Sequence, residues 1–275
     1  MLRRVMDMNY IRSWQLLTSP IRPLPDIIII GGQKCGTTSL YHYLCQHPEI
    51  YPGNTKEVHY FDDNYERGSL WYRSHFPFRN RGRFAIEATP NYMFHRASHD
   101  RLCELLPNVK LIAVLREPVE RAYSHYRHMR RGMGNRGREH RSFEEAIRLE
   151  MELVSKGVVF GGDSYRDRYF TYVRRGLYAF QLERYLKSHG QNLHVLSSSD
   201  LFRTPRSTLT KIFAFLEVEK YEVDTRTVYN QGNYRGIPFS MRDQLEAFFQ
   251  PYNELLYDQL NVEAWWSYNT SVRCR

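Results

Sequence analysis

Four consecutive isoleucines, Ile27 to Ile30, followed at once by Gly-Gly-Gln-Lys-Cys-Gly-Thr-Thr-Ser-Leu over residues 31–40, constrain this chain more than any other feature. A β-branched run bounded by Pro25 and Gly31 predicts a strand over 26–30, buried on both faces and therefore inside a parallel sheet. Thr37 onward reads as the first turns of a helix. Strand, glycine-bounded turn and helix in that order bring backbone N–H groups and the positive end of a helix onto a phosphate-like anion. Thr37 and Thr38 add hydroxyl donors at the same place.

The turn departs from the ordinary nucleotide loop in one respect. In that loop a lysine follows the second glycine, whereas here Thr37 follows Gly36 and the lysine, Lys34, lies inside the turn. A magnesium-dependent kinase also wants an aspartate at the end of a neighbouring strand. The best later strand, 109–115, runs instead into Arg116, which points to a second anion held directly by protein cations. Arg116 opens the segment Leu-Arg-Glu-Pro-Val-Glu-Arg-Ala-Tyr-Ser-His-Tyr, in which Pro118 suits the first position of a helix. Ser124 follows Pro118 by close to two helical turns, so it returns to the side facing the strand end and can share an anion with Arg116.

Further strands are expected over 83–88 and 192–197, and helices over 97–106, 142–153, 176–188, 207–216 and 241–260, with a Ser142/Glu145 capping box on the second of these. Strands alternating with helices predict an α/β fold: a single domain with a phosphate-loop-like parallel β-sheet flanked by helices and sites at the strand carboxyl ends. A chain of 275 residues, 42% hydrophobic, supports one large core, read as a domain over 25–275 preceded by an N-terminal arm over 1–24. No stretch is apolar enough to span a bilayer, and Cys35, Cys45, Cys103 and Cys274 lack metal-binding or disulfide-framework spacing, so a soluble, cytoplasmic protein is expected. The helix dipole would activate Cys35; a small residue tolerated in a tight turn is the simpler reading.

The turn with its internal lysine, together with the Arg116 segment, resembles the two phosphosulfate-binding motifs of sulfotransferases that use 3′-phosphoadenosine 5′-phosphosulfate. The resemblance is closest to the branch that sulfates heparan chains and to its bacterial relatives. It continues through Lys-Glu-Val-His-Tyr-Phe at 56–61, Ile-Glu-Ala-Thr-Pro-Asn-Tyr-Met-Phe at 86–94, and segments 176–186 and 248–257. It implies that Gln33, Lys34, Cys35, Gly36, Thr37 and Thr38 wrap the 5′-phosphosulfate, with Lys34 at the bridging oxygen, and that Arg116 and Ser124 take the 3′-phosphate. It further implies Glu57 as general base, Lys56 and His59 beside the acceptor, Glu87 on the acceptor side, and Asn233, Tyr234, Arg235 and Gly236 over the cofactor. His59 is the second choice of base, because in an extended segment it points to the same side as Glu57. Ala88 follows Glu87 where the animal enzymes carry a lysine, and residues 218–235 contain no cysteine where they carry a disulfide, so a differently built acceptor site is expected.

Chemistry points the same way. A transferring sulfuryl group carries one negative charge, less than a phosphoryl group, so lysine and backbone donors suffice and no metal is expected. The acceptor is expected to be a hydroxyl or amine of a glycan, lipid or acyl group. A net charge of +9 favours anionic partners, and seven arginines between 121 and 141 stand against one acid, Glu139. With glycines at 132, 134 and 137, the middle of that stretch reads as a mobile basic loop just past the helix that follows Arg116, one that either binds an acidic polymer or is simply solvated. No nucleic-acid recognition motif accompanies it. Two alternatives stay open on these residues: a phosphate-loop kinase for a small metabolite, and a non-catalytic binder of acidic polysaccharide.

Overall fold

A computed structural model describes residues 13–78, 83–132, 137–161, 164–229, 236–237, 239–266 and 268. A short helix, α1 (Ser13–Leu17), precedes the first strand, β1 (Ile27–Gly31). The chain continues through α2 (Thr37–Leu44), β2 (Ile50–Pro52), α3 (Gly68–Arg73), β3 (Phe84–Ala88), α4 (Ser98–Leu105), β4 (Lys110–Leu115) and α5 (Pro118–Arg131). Then come α6 (Phe143–Ser155), α7 (Tyr165–Tyr169), α8 (Tyr178–His189), β5 (Leu193–Ser197), α9 (Ser198–Arg203), α10 (Pro205–Leu216) and α11 (Phe239–Leu260). The strands form one sheet in the order β2-β3-β1-β4-β5, and every pairing is parallel.

The two-residue period of a strand divides β1 between two cores. Ile28 and Ile30 enter a layer with Tyr72, Leu102, Tyr178, Leu182 and Leu256, whereas Ile27 and Ile29 enter a layer with Leu40, Tyr43, Leu209 and Phe213. The four isoleucines are at most 1% exposed, each burial being worth roughly 1.5–3 kcal/mol, which is why the run carries no polar alternation. A third apolar layer joins α5, α6 and α11 through Val119, Ala122, Ile147, Leu245 and Phe249. Ser142 and Glu145 cap α6 reciprocally as expected, at 3.2 and 2.7 Å.

Because β1 lies between β3 and β4, the chain leaves β1 in one direction and later returns on its other side. That makes the carboxyl end of β1 the point where the strand order switches, the place at which open parallel sheets form a ligand crevice. Part of the expected arm lies against the domain: Arg22 is buried, stacks over Trp14 and Phe78, and donates to the Phe76 carbonyl at 2.7 Å. No helix among the described residues is long and apolar enough to cross a membrane.

Candidate active site

At the switch point, Gly36 has φ +100°, the left-handed conformation that favours glycine, and this lets α2 begin at Thr37 with its N–H groups uncapped by any side chain. Lys34 is left-handed as well, at φ +67°. The loop borders a cleft of about 960 Å³ that also takes in Arg116 and Ser124. The two anion motifs, 78 residues apart from Thr38 to Arg116 in the sequence, therefore share one cavity. Ser124 reaches it from the second turn of α5, as the helical spacing predicts, and is 4% exposed. Glu117 caps α5, accepting from the N–H groups of Val119 and Glu120 at 2.8 and 2.7 Å.

Gln33, Lys34, Cys35, Gly36, Thr37, Thr38, Glu57, Arg116 and Ser124 are brought together on the cleft. Burial and the Arg116 guanidinium hold the Lys34 ammonium below its ordinary value. Lys56 joins the two halves of the site, with its Nζ 3.3 Å from Thr38 Oγ1 and 3.2 Å from Glu57 Oε1. Burial alone would lift the Glu57 carboxyl, but hydrogen bonding to His59 and the charge of Lys56 outweigh it, so the group lies below the ordinary carboxylate value. Burial likewise opposes the charged form of His59, yet Asp62 and Glu57 push the ring up to about 10, so it is a cation at neutral pH. Its Nε2 is 3.4 Å from Glu57 Oε2 and its Nδ1 2.8 Å from Asp62 Oδ2. Asp62 is buried and also accepts from Asn91 Nδ2 at 2.7 Å.

Two expectations need correction, those for His59 and Glu87. The Glu57 segment is not a regular extended strand: His59 is left-handed at φ +53°, and this turn, rather than strand alternation, sets its ring against Glu57. Glu87 does not reach the cleft; it is 2% exposed, accepts from Thr89 Oγ1 and the Tyr92 hydroxyl at 2.7 Å each, and takes the Tyr72 hydroxyl too. Cys35 is buried and its thiol is pushed up by desolvation, which fits the small residue in a tight turn rather than an activated thiolate. The middle of the 121–141 stretch, residues 133–136, lies outside the described residues, and the first part of the stretch is helix rather than loop. Arg121 is wholly buried in α5, which runs on to Arg131, and Arg141 is held by Glu139 at 2.9 and 2.6 Å.

Asn233, Tyr234 and Arg235 lie outside the described residues; Gly236 is exposed. Cys274 lies outside them too, while Cys35, Cys45 and Cys103 are free thiols. Of the aromatic residues, Trp71, Tyr72 and Trp266 belong to the core.

Several cleft residues escaped the sequence reading. His128 and Arg131 line it from α5, four and seven residues after Ser124, a helical spacing that was there to be read. Burial and the neighbouring Lys34 and Arg131 charges hold the His128 ring down at about 4, hence neutral. Phe202 and Arg203 come from α9, directly past the carboxyl end of β5, where the same strand-end rule points. Tyr229 closes a wall, its N–H donating to Ser39 Oγ at 3.0 Å and its ring stacked on His42. One metal-like triplet among the described residues, His59, Asp62 and Asp63, has donors within 4.8 Å of one another, but His59 is cationic and Arg168 sits 2.9 Å from Asp63.

The family model described as a sulfotransferase domain matches residues 24–267. The chain is 29% identical over 277 residues to mouse heparan sulfate glucosamine 3-O-sulfotransferase 3A1, covering 91% of this chain and 66% of that protein. It is 29% identical to mouse heparan sulfate glucosamine 3-O-sulfotransferase 3B1 over 89% of this chain and 65% of the relative. It thus spans just under two thirds of either relative's length. Among solved structures it is similar to a sulfotransferase from Alicyclobacillus acidocaldarius, at 29% identity and a TM-score of 0.71, covering 88% of this chain and 97% of that one.

Proposed function

Since the chain belongs to the sulfotransferase family, we propose that it moves the sulfuryl group of 3′-phosphoadenosine 5′-phosphosulfate onto a hydroxyl or amine of a glycan, lipid or acyl acceptor. The observation that carries this reading is the single cleft shared by the Lys34 loop and the Arg116–Ser124 pair. Two anion sites on one cavity suit a nucleotide that carries phosphate on both the 3′ and the 5′ side of its ribose. In this reading residues 33–38 hold the 5′-phosphosulfate, and Arg116 and Ser124 the 3′-phosphate.

As the acceptor oxygen or nitrogen bonds to sulfur, the bond from sulfur to the bridging oxygen breaks and the acceptor proton passes to Glu57. The Lys34 ammonium meets the negative charge that grows on the bridging oxygen, an electrostatic contribution that is strongest in a partly buried site. Glu57 rather than His59 is the base, because an imidazole titrating at about 10 already holds its proton at neutral pH. His59 and Lys56 orient Glu57 and face the acceptor, while Asp62 offsets the His59 charge. With one negative charge on the transferring group, these donors do the work without a metal.

The two mouse relatives are named for heparan sulfate glucosamine, which supports a glycan hydroxyl as acceptor. The net charge of +9 supports an anionic one. Free thiols at Cys35, Cys45 and Cys103 support a reducing, cytoplasmic setting. A labelled-donor screen over sugars, lipids and hydroxyacyl carriers tests the reading. Transfer should fall about 10²–10⁴-fold in Glu57→Gln, with affinity for adenosine 3′,5′-bisphosphate retained; unchanged transfer in that variant would remove Glu57 from the chemistry.

A further inference from the structure

Glu120 puts a carboxylate into the part of the cleft that would receive the 3′-phosphate. We propose that it is a built-in competitor for that phosphate: a positioning residue that weakens the grip of Arg116 on the nucleotide, with Arg242 as its own counter-ion. This rests on reading Arg116 as a 3′-phosphate ligand.

The geometry is asymmetric. Glu120 Oε2 lies 3.4 Å from Arg116 Nη2, a long contact, whereas Oε1 takes a close one from Arg242 Nη2 of α11. Arg242 Nη1 reaches on to Glu246 at 3.4 Å. Glu117, one turn earlier, is not a second competitor, since its carboxylate serves the α5 N-terminus and the Tyr268 hydroxyl at 2.7 Å. A phosphate arriving at Arg116 therefore displaces the weaker of the two Glu120 contacts. Arg242 keeps hold of the other carboxylate oxygen, so Glu120 stands beside the phosphate. The same 3′-phosphate is carried by the donor and by the adenosine 3′,5′-bisphosphate that transfer leaves behind, so the carboxylate loosens both and speeds departure of the product. Arg242 limits the repulsion by drawing the carboxylate toward α11.

Glu120, Arg116 and Arg242 side chains are each about one third exposed, 38, 33 and 33%, so the effect is that of a half-screened charge rather than a buried one. Calorimetric titration with adenosine 3′,5′-bisphosphate and, separately, adenosine 5′-phosphate tests the idea on the full chain, on Glu120→Gln, on Arg242→Met and on the double variant. Glu120→Gln should bind the bisphosphate about three- to tenfold more tightly and the 5′-phosphate within about twofold of the parent. Arg242→Met should bind the bisphosphate more weakly, and the double variant should return to the Glu120→Gln value. Weaker or unchanged bisphosphate binding in Glu120→Gln, or an equal change for both nucleotides, overturns the proposal and makes Glu120 a mere brace for Arg116. Failure of the parent chain to bind the bisphosphate would overturn the Arg116 reading itself, a separate and recognisable outcome.

Discussion

Replacing Asp62 by asparagine removes the buried charge that holds His59 as a cation, and its effect is measurable without knowing the acceptor. The rise of the His59 ring from 6.5 to about 10 corresponds to roughly 5 kcal/mol in favour of the protonated form, already net of the burial that opposes it. The His59 side chain is 31% exposed, so solvent screening reduces that figure to roughly 2–3 kcal/mol. Asp62, fully buried and 2.8 Å away, supplies more of it than Glu57 at 3.4 Å. Asp62→Asn should therefore bring the ring titration down to about pH 8. Following the His59 ring resonances across pH 5–11 in labelled protein reads this directly. A ring that still titrates near 10 in Asp62→Asn, or one that already titrates near 6.5 in the parent, would show that Asp62 does not hold the His59 charge.

Three further outcomes follow from the same interactions. Because the folded-state His59 value is raised, the stability it contributes is present in full below pH 6.5 and is lost as pH rises through about 10; urea midpoints should fall across that window, and the slope should flatten in His59→Gln. Glu150→Ala takes one of two carboxylate partners from the Arg174 guanidinium, which is 2% exposed and bonded to Glu150 at 3.0 Å and to Asp167 at 2.7 Å, and should cost about 1.5–3 kcal/mol in denaturant unfolding, whereas unchanged stability would show the Glu150 contact to be dispensable. Gly36→Ala forces an alanine to φ +100° with its Cβ 2.8 Å from the Phe202 ring, and should cost about 1–2 kcal/mol of stability along with nucleotide affinity; an unaffected variant would mean the loop does not depend on that conformation.

The parts of this fold that sequence reveals are those fixed by local chemistry. The isoleucine run needed a strand buried on both faces, and its start and end differ from expectation by one residue. Pro118 and the Ser142/Glu145 pair marked the starts of α5 and α6 because a missing N–H and a capping box act within one turn. The helix over α11 was legible despite Pro251 within it. The three-residue β2 and the six-residue α3 and α9 were not foreseen, since such short elements hold only through the sheet and core they pack on. The anion loop and Arg116 could be paired from strand-end logic, but the Glu57–His59 contact depends on a left-handed turn that alternation cannot foresee. Glu87 was misplaced because its partner Tyr72 lies 15 residues earlier, on another element. The arginine count gave charge without burial, and Arg121 proved to be core.

In the proposed function one doubly anionic nucleotide is gripped by the Lys34 loop and by Arg116 with Ser124. Titrating adenosine 3′,5′-bisphosphate, with chelator present, into the parent chain and Arg116→Ala tests it most directly. One nucleotide should bind per chain, and the variant should lose about 10- to 150-fold in affinity, the worth of a hydrogen bond to a charged group. Undiminished affinity after Arg116→Ala would contradict the claim.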